Sequence, residues 1–178
     1  MTTSKIGVKM YILAIIAFII LVTFWFAEQI EKQRNPNKNV ALKQAPNGAV
    51  EVVLKRNKQG HYIANGFING HKAELVLDTG ATDVAVSASL AEKANLLPLK
   101  EIKVNTANGR AIAYATRIEE VRLGGILERG VSATIVPHME GLDVLLGMSF
   151  LKNLDFAQRG NELRLTSRRQ VMDGYLAN

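Results

Sequence analysis

Between Ala73 and Ser87 the chain reads AELVLDTGATDVAVS, and the reading of this stretch decides the fold. Its first half is a β-type run in which Ala73, Leu75 and Leu77 share one face at period two. The run passes without a break into Asp78-Thr79-Gly80. A strand of this kind delivers Asp78 to the end of a rigid sheet, so its carboxylate is held in place. Gly80 lets the backbone turn sharply and lets another chain approach closely. Thr79 carries a hydroxyl that both donates and accepts hydrogen bonds. Taken alone the tripeptide is an ordinary turn, because Asp and Gly are both favoured there. A second segment changes that reading: GLDVLLGMSFL, Gly141–Leu151, is an apolar strand that runs to Gly147 and then into a short helix.

Together, Val76-Leu77-Asp78-Thr79-Gly80-Ala81-Thr82 and the later Val144-Leu145-Leu146-Gly147 resemble the retropepsin-like aspartic proteases. Their signature is a hydrophobic strand into Asp-Thr/Ser-Gly-Ala, followed further along by aliphatics and a glycine. The likeness extends over roughly Glu51 to Thr166, and the anchor described below matches a bacterial branch with one N-terminal membrane helix. It implies a catalytic Asp78 supported by Thr79 and Gly80, with Leu145, Leu146 and Gly147 as the distal motif. It also implies a substrate cleft bordered by Ala81, Thr82 and Asp83. A covering flap would have its tip at Ala107-Asn108-Gly109. An aspartic protease needs two carboxylates sharing one proton around one water. This chain holds a single motif, so the resemblance implies a homodimer in which each subunit supplies Asp78 on a two-fold axis. Thr79 would cross-bond to its mate beneath the pair. Peptide or protein is the implied substrate, and neither metal nor organic cofactor is expected. Two departures stand out. Many retroviral proteases pair an Asp two residues after the motif glycine with an Arg just after the distal glycine, whereas those positions here are Thr82 and Met148. Ala81 also offers no hydroxyl to the outer carboxylate oxygen.

Composition narrows the alternatives. The 178 residues include no cysteine, which excludes disulfides, thiolate metal sites and a cysteine nucleophile. The formal net charge is +6, but the Lys and Arg residues are scattered and aromatics make up only 6% of the chain. No basic run is interleaved with stacking rings, so no nucleic-acid partner is expected. His61, His71 and His138 show no metal-ligand spacing. Asp143 lacks a following Thr/Ser-Gly and reads as a strand-start or turn residue, not as a partner of Asp78.

The N-terminus is of another kind. Tyr11 to Ala27, YILAIIAFIILVTFWFA, carries no charge, and residues 8–27 are long enough to cross a ~30 Å hydrocarbon core as a helix. Trp25 suits the far interface. A cleavable signal peptide is the competitor, but a cut after Ala27 would put Trp25 where a small residue is required, which favours an uncleaved anchor. Lys32, Arg34 and Lys38 match the lysines before the helix, so charge bias does not set its orientation. The short N-terminal tail and signal-anchor form lead to the expectation that the following domain lies outside the cytoplasm, in a single-pass inner-membrane protein with a periplasmic domain.

The expected organisation is therefore a tail and anchor over 1–27, a flexible linker over 28–48, a protease-like domain over 49–168 and a tail over 169–178. Within the domain, Asn69-Gly70 and Asn108-Gly109 are hairpin signals, and Ser89-Leu90-Ala91-Glu92 reads as a capping box opening a short helix. MSFLKNL suits a second. The expected fold is mostly β: a single-lobe acid-protease barrel with one or two short helices, preceded by a transmembrane helix. The functional expectation is an aspartic endopeptidase. Its alternative is a catalytically silent lobe that binds extended peptides by strand addition while tethered to the membrane.

Overall fold

The apolar block at the N-terminus is one helix, α1 (Thr3–Arg34), 32 residues long. It is long and apolar enough to cross a membrane by length and composition. Trp25 and Phe26 stack edge to face, 5.0 Å between ring centres. The helix runs past Ala27, where a flexible linker was expected. Glu28 and Lys32 pair at i,i+4, 2.6 Å apart, and Glu31 and Arg34 pair at 3.1 Å, so the polar turns stay helical. The helix stops where Pro36 disfavours helical backbone at Asn35. These features come from a computed structural model of the chain, which describes residues 3–45, 48–106, 109–139 and 141–167. The helix through Arg34 and the unit beginning at Asn35 are separate bodies.

Residues 35–44 are not a free tether either. Asn37 is buried, and its side chain replaces strand hydrogen bonds. Its Nδ2 donates to Lys55 O at 2.9 Å and to Ile63 O at 2.7 Å, while its Oδ1 accepts from Lys55 N at 2.7 Å. Asn35 Nδ2 donates to Asn65 Oδ1 and Glu74 Oε2. The segment then passes against the Gly124-Gly125 turn with Val40 and Leu42, and ends in the two-residue strand β1 (Lys43–Gln44). Polar composition hid this strap from sequence reading, because an asparagine that serves a distant backbone looks like one that serves water. Asn37→Ala strands one buried backbone group, Ile63 O, and two part-buried ones on Lys55, so we expect a loss of about 2 kcal/mol. Chemical unfolding of the full chain in detergent, compared with an exposed control such as Asn39→Ala, measures it.

The remaining strands are β2 (Val50–Lys55), β3 (Tyr62–Ile68), β4 (His71–Leu77), β5 (Val84–Ser87), β6 (Lys100–Thr106), β7 (Gly109–Leu123), β8 (Ile126–Val136), β9 (Val144–Leu146), β10 (Leu154–Arg159) and β11 (Glu162–Ser167). Two short helices, α2 (Ala88–Lys93) and α3 (Met148–Leu151), interrupt them. One sheet runs in the order β1-β2-β11-β10. The other runs β3-β4-β9-β5-β8-β7-β6, and β3 also pairs with β7 through Phe67↔Arg122 and Ile68↔Val121. That last pairing closes six strands into a barrel and leaves β6 on its flank. Closure is tight at Gly66, where a β-carbon would collide with Leu75 and with Arg122 O. Asn37 therefore bridges the two sheets, since Lys55 ends β2 and Ile63 belongs to β3.

Leu54, Ile68, Leu75, Ile118, Leu146, Phe150 and Leu165 are among the fully buried side chains, and elements from both sheets contribute to this one core. The Asn69-Gly70 hairpin forms as expected, with φ of 47° and 80°. Asn69 Oδ1 also accepts from Glu120 N, clipping the turn to β7. Two local expectations need correction. The cap of α2 is Ser87, whose Oγ accepts from Leu90 N at 3.3 Å; the end of β5 supplies the cap two residues before the expected Ser89. The other is β10, which sequence reading left without an element: its polar pattern carries little strand signal, and its ladder with β11 makes it a strand.

Candidate active site

β4 and β5 follow each other in sequence but are not neighbours in the barrel, because β9 lies between them. β4 pairs with β9 in parallel, Leu75↔Val144, Val76↔Leu145 and Leu77↔Leu146. The ladder continues one step further, with Asp78 N donating to Leu146 O at 3.0 Å. Asp78 thus leaves the strand under backbone control. Its Oδ1 accepts from Gly80 N at 2.8 Å, and its carbonyl accepts from Ala81 N at 3.3 Å. The carboxylate is aimed by its own loop. Asp78, Thr79 and Gly80 are all exposed on the single chain, as are Thr82 and Asp83, and Ala81 is half-buried.

From Ala81 to Asp83 the loop passes directly over Gly147. A β-carbon at Gly147 would lie 2.7 Å from Ala81 O and closer still to Asp83 O. The backbone there has φ −91°, which any residue adopts, so glycine is required for space alone. Beyond Gly147, the free N–H groups that open α3 take the loop's carbonyls: Met148 N donates to Ala81 O at 2.8 Å and Ser149 N to Thr82 O at 2.9 Å. Ser149 Oγ accepts from Val84 N at 3.0 Å and donates to Ser132 O at 2.8 Å, tying the end of the loop to α3 and β8. Sequence reading missed Ser149. Its only signal was a serine one residue past Met148, where the retroviral pattern has its arginine just after the distal glycine.

The structure therefore brings Asp78–Asp83 together with Leu145, Leu146 and Gly147. Gly109 stands exposed at the start of β7, at the end of the β6–β7 hairpin, while Ala107 and Asn108 lie outside the described residues. Asp143 is structural: its Oδ2 accepts from Glu74 N at 2.9 Å and its carbonyl accepts from Ser87 N at 2.9 Å, spanning β4 and the end of β5.

The sequence profile of the family described as "gag-polyprotein putative aspartyl protease" matches residues 64–153, half of the chain and all of the Asp78–Gly147 assembly. The chain belongs to this aspartyl protease family. Two curated relatives are similar to this protease-family chain. One is the "Uncharacterized protein in cobV 5'region" of Sinorhizobium sp, 38% identical over 122 residues, covering 66% of this chain and 52% of the relative. The other is the "Uncharacterized protein RP867" of Rickettsia prowazekii (strain Madrid E), 31% identical over 109 residues, covering 57% and 45%. The chain thus spans about half the length of the curated relatives it matches. Among solved structures, the family fold is matched by a retropepsin-like aspartic protease from Rickettsia conorii, with TM-score 0.56, 24% identity, and coverage of 72% of this chain and 94% of that one. The barrel is retropepsin-like, as expected.

Proposed function

We propose that the protein is an aspartic endopeptidase whose active site forms when two copies bring their Asp78 carboxylates together. The observation that carries this reading is the placement of Asp78. It is aimed by Gly80 N–H, fixed through Leu146 O, exposed at the rim, and present once per chain. An exposed carboxylate held this firmly is half of a dyad. With one proton shared between the pair, the ionised Asp78 takes a proton from water as its oxygen attacks the scissile carbonyl carbon. The protonated Asp78 gives its proton to the carbonyl oxygen. Collapse of the tetrahedral species then breaks the C–N bond: the Asp78 that took a proton from water gives it to the leaving amine nitrogen, and a hydroxyl of the diol returns its proton to the other Asp78, restoring the singly protonated pair. Thr79 of each chain cross-bonds beneath the pair, and the β6–β7 hairpin covers an extended peptide lying along Ala81, Thr82 and Asp83. No metal or organic cofactor takes part. α1 tethers both copies to one membrane with the protease domains on the periplasmic side, which raises their effective concentration.

Mixing tests the dyad. Wild-type and Asp78→Asn chains, allowed to exchange in detergent at equal amounts, leave only about a quarter of the dimers with two intact carboxylates. Peptide cleavage per total chain should fall to that fraction. A fall to one half would mean that each chain works alone.

A further inference from the structure

β3 sends its side chains alternately into the core and out to the surface. Ile68 points inward with Val121, both fully buried, so Phe67 beside it points outward. The strap crosses the same outward face. Asn35 Nδ2 donates to Asn65 Oδ1 at 3.1 Å and to Glu74 Oε2 at 3.2 Å, and Asn37 Nδ2 donates to Ile63 O at 2.7 Å. Ile63 is buried there, whereas Phe67, two residues past Asn65, is 42% exposed.

Phe67 stands between cations. The register sets Lys72 of β4 opposite it on one side and Arg122 of β7 on the other, and both are exposed. Two carboxylates share the face: Glu74 holds Asn35, and Glu120 accepts from Arg122 at 2.7 Å with Arg129 4.0 Å away. Lys38 adjoins them, its carbonyl accepting from Asn65 Nδ2 at 3.1 Å, so Lys38, Lys72, Arg122 and Arg129 outweigh Glu74 and Glu120. An exposed aromatic ring amid an excess of positive charge suits the boundary of an anionic bilayer. The ring enters the headgroup layer and the cations meet phosphates.

The chain itself brings this face to such a boundary. The apolar run ends at Ala27, and the helix continues to Arg34. From Ala27 to Asn35 the helical rise is about 12 Å. The headgroup layer is roughly 5–8 Å deep, so Asn35 lies within about one Debye length, ~8–10 Å, of the phosphates. Asn35 is fixed to Asn65 and Glu74, each two residues from Phe67 or Lys72. We infer that the outward face of β3 and β4 beside Asn35 rests on an anionic membrane surface, with Phe67 set into the headgroup layer and Lys72 and Arg122 on its phosphates. This rests on α1 spanning the membrane and is independent of the cleavage chemistry. Docking also fixes how the site stands, since Asp78 follows Lys72 by six residues, about 20 Å along β4.

The absence of native cysteine allows a single nitroxide label on the full chain in vesicles. Labels go on Phe67→Cys, on Ala17→Cys within the apolar run, and on Ile112→Cys as control. Ile112 is apolar and 51% exposed but lies ten residues from Arg122 along β7, about 33 Å. In vesicles of phosphatidylglycerol and phosphatidylcholine, the ratio of oxygen to nickel-chelate access at position 67 should exceed that at 112 at least about threefold. It should fall to the control value in phosphatidylcholine alone, or when Lys72→Glu and Arg122→Glu are added. All three side chains are exposed, so the melting temperature should hold. Equal ratios at 67 and 112, or a ratio at 67 indifferent to the lipid, overturn the inference. Low access of both reagents at 67 also overturns it, because protein then covers the face. If the Ala17→Cys label is not buried in lipid, the anchor reading falls and takes this surface with it. A lipid-buried label at 17 with an aqueous one at 67 removes the surface alone.

Discussion

Asp78→Asn should lower peptide cleavage by roughly a thousandfold or more while leaving the fold unchanged, because it removes the acid–base pair and little else. Asparagine keeps an oxygen that accepts from Gly80 N–H, so the 2.8 Å bond that shapes the loop survives. The side chain is exposed on the single chain, so no buried charge is created or removed. The measurement pairs a cleavage assay on the full chain with a thermal melt, and the two readouts should separate: activity lost, melting temperature within a few degrees. Residual cleavage at the wild-type rate would place the chemistry elsewhere. The silent-lobe alternative makes a different forecast, in which neither chain cleaves and both bind extended peptide equally well.

The second large effect is expected at Gly147. Its backbone is ordinary, so Gly147→Ala acts purely through the collision of a new methyl group with Ala81 O and Asp83 O. Those atoms are main chain, and the loop that carries them is clamped by Met148 N and Ser149 N. It has no easy way to yield. Overpacking of this kind costs about 3 kcal/mol, and the loop that moves is the one holding Asp78. Stability and cleavage should therefore fall together. Gly141→Ala is the matched control: Gly141 has φ +73° with nothing within 4 Å, so that change meets backbone strain of about 1–2 kcal/mol and no collision. If Gly147→Ala is no worse than Gly141→Ala in a denaturant titration, close packing of the loop over β9 is not what holds the site.

Part of the site was legible in the chain. Asp78 and Gly147 were readable because each sits in a local pattern that admits few structures: an aliphatic strand running into Asp-Thr-Gly, and another running into a glycine before a helix. The Asn69-Gly70 hairpin was readable for the same reason, since positive φ at adjacent residues selects those two types. Ser149 was not. A serine hydroxyl bonded to Val84 N and Ser132 O is chemically the same as one bonded to water, and both partners lie far away in sequence. Asn37 escaped on similar grounds: its side chain serves backbone groups of Lys55 and Ile63 that only the folded chain brings near, so a polar tether was the simpler expectation. Ser87 is a local case, since it caps Leu90 N three residues on, and Ser89 offered the same chemistry two residues later.

By itself, then, the sequence of this protein determined the apolar span, the mostly-β lobe and the single Asp-Thr-Gly turn on which the proposed pairing of two copies rests. Only the tertiary structure decided that β9 inserts between β4 and β5, that β3 meets β7 to close the barrel, and that residues 35–44 strap the two sheets together. It alone showed β10 as the outermost strand of its sheet among the described residues, with Phe156 half uncovered. The physical reason is range. Side-chain alternation and turn preference act over a few residues and are written in them, whereas strand order and hydrogen-bond partners depend on which distant backbone groups remain unsatisfied once the core has formed.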